Sequence, residues 1–175
     1  MVKKILMLGV MAVMALGFFA GCGSGIKFSV AFEGKGYANG AFSFTDTSGE
    51  ELGVHNLVKL INSFEELKSF CDEVNNPAFL QESPKYSNDL SKKIREYDEA
   101  FFAEKSLIVY LLTAPNAGTS YKIKNLKVDG EELLLDIRIK ESKHDSAAVI
   151  TPWTFLIEVN KADIAGITSI GGKTL

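Results

Sequence analysis

The sequence predicts an α+β domain whose main element is an antiparallel β-sheet, arranged as a small sandwich or partly open barrel, with one or two short helices before the central strands. Two patterns support this fold class. Several short segments alternate apolar and polar residues with a period of two, which is typical of strands with one buried face. Between residues 63 and 97 the apolar spacing changes to three and four residues, which indicates helices.

The N-terminal part of the domain is expected to contain three strands. Residues 26–33 and 41–45 alternate apolar and polar side chains, and residues 34–40 would join them as a glycine-rich hairpin turn. This turn lacks the lysine-serine ending and the following helix of a phosphate-binding loop, so we interpret it only as a turn. Residues 57–61 form a short apolar run, which predicts a buried strand.

Two helices are expected before the central strand. Ser63 and Glu66 have the spacing of a capping box, so a helix should begin there. Its apolar positions place Cys71 on the inward face, which predicts a buried and unreactive thiol. A second short helix is indicated by apolar residues at positions i, i+4 and i+7, counted from Leu90. The phenylalanines at 101 and 102 should fill the core.

From residue 106 onward the predicted elements are strands. Residues 107–112 are continuously apolar, as in a central strand covered on both faces. A one-residue slip in the alternation near Asn125 predicts a β-bulge, and Asp129-Gly130 predicts a hairpin turn. The other expected elements are a loop at 114–118, strands at 133–139 and 153–159, a turn at 161–163 and a terminal strand at 167–170.

The first 22 residues carry the pattern of an export signal. Lys3 and Lys4 precede an uncharged apolar run from residue 5 to residue 20. Ala20-Gly21-Cys22 follows, and it resembles the lipobox of bacterial lipoproteins. The resemblance implies that Cys22 receives a diacylglyceryl group and that the chain is cut before it. An uncleaved membrane span and a plain signal peptide are the alternatives.

These features divide the chain into a signal peptide at 1–21, a lipidated cysteine with a short tether at 22–25, and one structural domain at 26–175. Within that domain the hairpin and strand at 26–62 precede an α+β region at 63–175. The 154 residues after position 21 are enough for one core and too few for two. We expect an extracytoplasmic protein anchored to the membrane by the lipid on Cys22.

Composition limits the partners. The predicted signal peptide contains two of the 19 basic residues and none of the 22 acidic ones, so the remainder has 17 against 22 and a formal charge of −5. Phosphate binding depends on clustered Lys and Arg, so this balance argues against nucleic acid. It argues equally against anionic lipid headgroups as partners.

The residues that bear chemistry are few. His55 and His144 stand far apart in the sequence, and no metal site is expected from them. With Cys22 lipidated, Cys71 has no disulfide partner. The cluster His144-Asp145-Ser146 is adjacent in sequence, so its side chains would point to different sides and form no catalytic relay. We therefore expect no enzyme and no cofactor other than the covalent lipid.

Residues from about 63 to 163 resemble small bacterial lipoproteins related to the C-terminal domain of the protease complex subunit PrcB. The similarity is carried by four stretches, at residues 97–110, 118–121, 127–130 and 153–159. The resemblance implies a β-rich extracellular binding module that stabilises or assembles a secreted protease complex, and it implies no catalytic residues.

The sequence therefore leaves more than one function open for the predicted loop. The first is binding of a secreted or surface protein, for example a protease, through five residues: Gly118, Thr119, Ser120, Tyr121 and Trp153. One alternative is protease inhibition, because residues 116–121 resemble the Asn-Pro-Thr-Thr-Gly-Tyr loop of chagasin-like cysteine protease inhibitors. The other alternative is an extracytoplasmic domain with an unknown ligand. A single Trp among alternating apolar residues is also compatible with a purely structural place in the core.

Overall fold

A computed structural model of the chain describes residues 25–35, 57–73, 89–141 and 151–174. The strands are β1 (Phe28–Lys35), β2 (Leu57–Ile61), β3 (Lys105–Ala114), β4 (Ser120–Asp129), β5 (Glu132–Lys140), β6 (Thr151–Asn160) and β7 (Ser169–Thr174). The α-helices are α1 (Phe64–Glu73), α2 (Asp89–Ile94) and α3 (Glu99–Glu104), and a 3₁₀ helix spans Lys161–Ile164. The predicted export signal, Cys22, the predicted strand at 41–45 and the residues His55, His144, Asp145 and Ser146 lie outside the described part.

The strands form two sheets. The four-stranded sheet has the order β1-β6-β3-β2, and all of its strand pairs are antiparallel. The three-stranded sheet has the order β4-β5-β7, with β4 antiparallel and β7 parallel to β5. The predicted α+β fold class, mostly antiparallel with a few short helices and sandwich-like, is confirmed.

The four-stranded sheet is the middle of three layers. One of its faces packs against the helices through Leu107, Val109 and Leu156. The other face packs against the three-stranded sheet through Ile108, Tyr110 and other residues of β3 and β6. Both faces of β3 are therefore buried, which explains why residues 107–112 are continuously apolar.

The outer, three-stranded sheet has only one buried face. Leu133, Leu135 and Ile137 of β5 point into the core, whereas the residues between them face outward. The register of β4 against β5 shifts between Ile123 and Asn125, so the predicted β-bulge is confirmed. The hairpin turn is also confirmed, because Gly130 has a φ of 62°.

The helices follow local signals. The Ser63 hydroxyl accepts a hydrogen bond from the backbone N–H of Glu66 at 3.1 Å, and the Glu66 carboxylate accepts one from the backbone N–H of Asn62 at 2.6 Å. The predicted helix start at Ser63 is thus confirmed, with Glu66 reaching one residue further back than in the usual capping box. Asp98 caps α3 by accepting a hydrogen bond from the backbone N–H of Phe101.

Several predicted details were wrong. Residues 57–61 form an edge strand, and only Ile61 is fully buried, because β2 pairs with β3 on one side alone. Gly34 continues β1 and Ala114 ends β3, so neither lies in the predicted turn or loop. Phe102 is buried in the core and Phe101 packs against it, as predicted, but both lie in a third helix, α3, that was not predicted. The terminal strand begins at Ser169.

Candidate functional site

The connection between β3 and β4 is an ordered turn. The side-chain Oδ1 of Asn116 accepts hydrogen bonds from the backbone N–H of Gly118 at 2.9 Å and from the Thr119 hydroxyl at 3.0 Å. The backbone carbonyl of Asn116 accepts a third one from the N–H of Thr119 at 3.3 Å. An Asn side chain that bonds to the backbone two residues later is a common way of fixing a turn. Residues 115–118, hereafter the Asn116 loop, are therefore held in one conformation.

Aromatic side chains pack together in the strands next to this loop. The rings of Tyr121 and Trp153 meet edge to face with centroids 5.8 Å apart, and Trp153 stacks on Phe155 at 6.1 Å. The Tyr121 hydroxyl donates a hydrogen bond to the backbone carbonyl of Thr113 at 3.1 Å. Burial raises the pKa of Tyr121 above its usual value. The ends of β3 and β4 that carry the loop are thus joined by a hydrogen bond and pack in the same buried cluster.

The five predicted binding residues occupy two kinds of environment. Thr119, Tyr121 and Trp153 are buried, with Tyr121 7% and Trp153 8% exposed. Gly118 and Ser120 are half-buried, and the Ser120 hydroxyl donates to the carbonyl of Lys140. Of the buried three, Thr119 bonds to Asn116, and Pro115 and Ala117 are the exposed residues of the loop. Whether these residues bind a partner stays a prediction.

A second cluster, centred on Glu158, was missed by the sequence analysis. The Glu158 side chain is 15% exposed, and its carboxylate lies 3.1 Å from the ammonium of Lys105 and 3.8 Å from that of Lys93. It also accepts hydrogen bonds from the Tyr97 hydroxyl at 3.3 Å and from the Ser29 hydroxyl at 3.5 Å. A charged residue on the helix-facing side of an otherwise apolar strand was the signal available in the sequence.

The Glu158 cluster borders a shallow pocket of about 170 Å³. The polar residues that line it are Lys27, Ser29, Lys105, Glu158 and Asn160. The pKa of Tyr97 is raised, firstly because the phenol is buried and secondly because Glu158 and Glu96 are negatively charged. The Glu158 carboxylate already has several hydrogen-bond donors. We therefore interpret the Glu158 cluster as a structural polar network that joins β1, β3 and β6 to the helices.

The described thiol lies away from both places. Cys71 is fully buried, as predicted, and burial raises its pKa to about 12, with Asp72 adding a smaller effect. Such a thiol is protonated at neutral pH and is a poor nucleophile.

The described residues contain no group of three or more His, Cys, Asp and Glu side chains placed to hold a metal ion. Among them, no helix has the length and apolar character needed to cross a bilayer.

The chain matches no protein-family model, no curated protein and no solved structure. The resemblance to PrcB-related lipoproteins therefore stays a prediction. The Asn116 loop and the Glu158 cluster have to be interpreted from their own geometry.

Proposed function

We propose that this protein is an extracytoplasmic lipoprotein, anchored through Cys22, whose sandwich is a non-catalytic protein-binding module that uses the Asn116 loop. The observation that carries the proposal is the set of three hydrogen bonds to Asn116. A loop that is already ordered loses little conformational freedom when it binds, so more of the contact free energy appears as affinity. Loops positioned by a rigid scaffold are also where binding functions concentrate.

The position of the loop supports the same proposal. It connects a strand of the central sheet to a strand of the outer sheet, and these strands are joined near the loop by the hydrogen bond from Tyr121 to Thr113. Its exposed residues, Pro115 and Ala117, are small and offer a compact contact surface. A partner would therefore be a folded protein with a complementary groove, such as a subunit of a secreted protease complex.

The proposal that the module is non-catalytic is supported by the state of its reactive groups. Burial raises the pKa of Cys71 to about 12 and that of Tyr110 to about 12. Neither side chain is ionised at neutral pH, so neither supplies a nucleophile there. Glu158 is engaged by lysines and hydroxyls.

The binding function is tested by crosslinking in the host cell. A photoreactive amino acid replaces Ala117, and in a matched control it replaces Ala162, which is exposed on the 3₁₀ helix. We expect a discrete adduct with one surface or secreted protein from position 117 and none from position 162. The same adduct from both positions, or none from position 117, would contradict the proposal.

The inhibitor alternative uses the same loop and needs its own measurement. The mature protein is titrated against papain-like proteases, with Asn116→Ala as the loop variant. Inhibition at micromolar protein that is weakened by Asn116→Ala would replace the binding module by an inhibitor. No inhibition by the wild-type protein would leave the binding module as the proposed function.

The anchor is tested separately by labelling. Cells fed radioactive palmitate should label the wild-type protein, and Cys22→Ser should abolish the label. Retained labelling in Cys22→Ser would contradict the lipoprotein assignment while leaving the loop experiment interpretable.

A further inference from the structure

The outward face of the outer sheet carries a group of basic residues. Tyr121 and Ile123 of β4 and Ile137 of β5 point into the core, so Lys122 and Arg138, and Lys140 two residues after Arg138, point outward, while Lys124 is the exposed residue of the bulge. These four residues are all exposed and positively charged. They are Lys122, Lys124, Arg138 and Lys140, hereafter the basic face.

The four basic-face residues form no ion pair among the described residues, and the acidic residues of the same outward face, Asp129, Glu132 and Asp136, lie towards its hairpin end. Lys122 lies directly opposite Arg138 in the β4–β5 ladder, and like charges in that position repel each other. Lys127, further along the same strand, is different because it forms an ion pair with the buried carboxylate of Asp136.

Protection of a sheet edge does not account for this arrangement. Lysines on edge strands prevent unwanted strand pairing, and β4 is an edge strand. However, β5 is the middle strand of its sheet, and it contributes Arg138 and Lys140. The cations therefore extend across a face, which is the arrangement that binds an extended anionic surface.

The described chain starts beside this face. The backbone N–H of Ile26 donates to the carbonyl of Leu126 at 3.0 Å. Gly25 lies so close to Asn125 that a Cβ at Gly25 would overlap the Asn125 carboxamide oxygen, and it would be 3.3 Å from the Leu126 carbonyl. Asn125 is the immediate neighbour of Lys124 in the bulge. The chain therefore reaches the domain at the strand that carries half of the basic face.

The distance from this point to the anchor is short. Cys22 precedes Gly25 by three residues, which span about 11 Å at most when fully extended. Electrostatic attraction decays over about 8 Å at physiological salt, a length comparable to this span, so a tether this short allows the nearby cations to come within range of the membrane surface.

We propose that the basic face lies against the anionic lipid headgroups of the membrane in which the protein is anchored. This inference rests on the proposed lipidation of Cys22. The net charge of −5 argued against such a partner, but net charge averages over surfaces that face in opposite directions. A lipid chain combined with a basic surface is a recognised way to fix a protein on a membrane. The Asn116 loop, which joins β4 at the Lys122 end, would then present its partner site close to the bilayer.

The test uses the mature lipidated protein in two kinds of vesicle, one of phosphatidylcholine alone and one with about a third phosphatidylglycerol. A membrane-impermeant amine reagent is added, and the modification of single lysines is measured by mass spectrometry. Lys122, Lys124 and Lys140 report on the basic face, and Lys92 on α2, with 58% side-chain exposure, is the control. Flotation with phosphatidylcholine vesicles tests the lipid anchor by itself.

We expect the three reporter lysines to be protected about fivefold in anionic vesicles relative to neutral ones. Lys92 should react equally in both, and 0.5 M salt should remove the difference. In Lys122→Gln/Lys124→Gln the protection of Lys140 should fall, whereas Lys68→Gln/Lys92→Gln, with the same loss of charge on the helix side, should leave it unchanged.

The outcomes distinguish the proposed lipid anchor at Cys22 from the proposed orientation of the basic face towards the membrane. Failure to float with phosphatidylcholine vesicles would contradict the lipid anchor. Flotation with equal lysine reactivity in both vesicles would overturn the membrane-facing orientation and leave the anchor intact. Protection that is absent from anionic vesicles but present in whole envelope preparations would assign the basic face to an acidic protein and would also overturn this inference.

Discussion

The two sheets of this protein differ in how their faces are covered. The central sheet is covered by helices on one face and by the outer sheet on the other, so β3 and β6 bury apolar residues on both faces. The outer sheet is covered on one face only, and its strands alternate between core residues and charged ones. We therefore expect the central sheet to contribute more to stability than the outer sheet.

The largest expected loss of unfolding free energy comes from a substitution in the interior of the central sheet. Phe155→Ala removes a fully buried ring that stacks on Trp153, and it should lower the free energy of unfolding by about 3–5 kcal/mol. Ile139→Ala, in the outer sheet with 38% exposure, should cost less than about 1.5 kcal/mol. Urea unfolding of both variants measures the difference. Equal losses would mean that the two sheets contribute alike.

A smaller effect is expected from the ion pair on the outer sheet. Lys127→Met leaves the buried carboxylate of Asp136 without its partner, so the free energy of unfolding should fall by about 1–3 kcal/mol. Lys124→Met, three residues earlier in the same strand, removes an exposed and unpaired cation and should change it by less than about 0.5 kcal/mol. The same urea titration compares them, and a loss for Lys124→Met as large as that for Lys127→Met would contradict the assignment.

The free energy of unfolding should fall at alkaline pH because of Cys71, which lies in the core between the central sheet and the helices. The folded pKa of Cys71 is raised from 9.0 to about 12, so the folded state favours the protonated thiol. This contribution is fully present below pH 9 and is lost as the pH rises from about 9 to 12, with a slope of at most about 1.4 kcal/mol per pH unit.

The measurement is the free energy of unfolding of wild type and Cys71→Ala at pH 8, 9, 10 and 11. Cys71→Ala should be less stable at pH 8, because it loses packing, but its curve should fall less steeply above pH 9. Parallel curves for the two proteins would show that the thiol does not titrate on unfolding in this range.

The smallest expected loss of stability comes from a substitution in the hairpin turn of the outer sheet. Gly130 has a φ of 62°, so Gly130→Ala should cost about 1 kcal/mol, while Gly130→Asn should cost less because Asn tolerates this conformation. No atom lies within 4 Å of the position of an added Cβ, so a clash would not account for the loss. Differential scanning calorimetry distinguishes the variants. A larger loss for Asn than for Ala would contradict the backbone explanation.

The candidate sites differ in how far they could be predicted. The Asn116 loop was predicted as a loop, Gly118 and Thr119 donate hydrogen bonds to Asn116, and Tyr121 packs against Trp153. Their burial was not predictable, because alternation marks a residue as facing one side without saying what covers that side. The Glu158 cluster was missed because Ser29, Lys105 and Glu158 come together only through strand pairing. The basic face was not predicted from the net negative charge, because its four cations also come together only through strand pairing.

The sequence alone determined the local elements of this protein. The doubly covered strand at 107–112, the bulge at Asn125, the turn at Gly130 and the helix start at Ser63 are each encoded by a few neighbouring residues. Tertiary structure alone decided that β6 lies beside β3, that β7 runs parallel to β5, and that four cations share one face. These pairings depend on which apolar faces bury each other across long stretches of chain, and no local period records that choice.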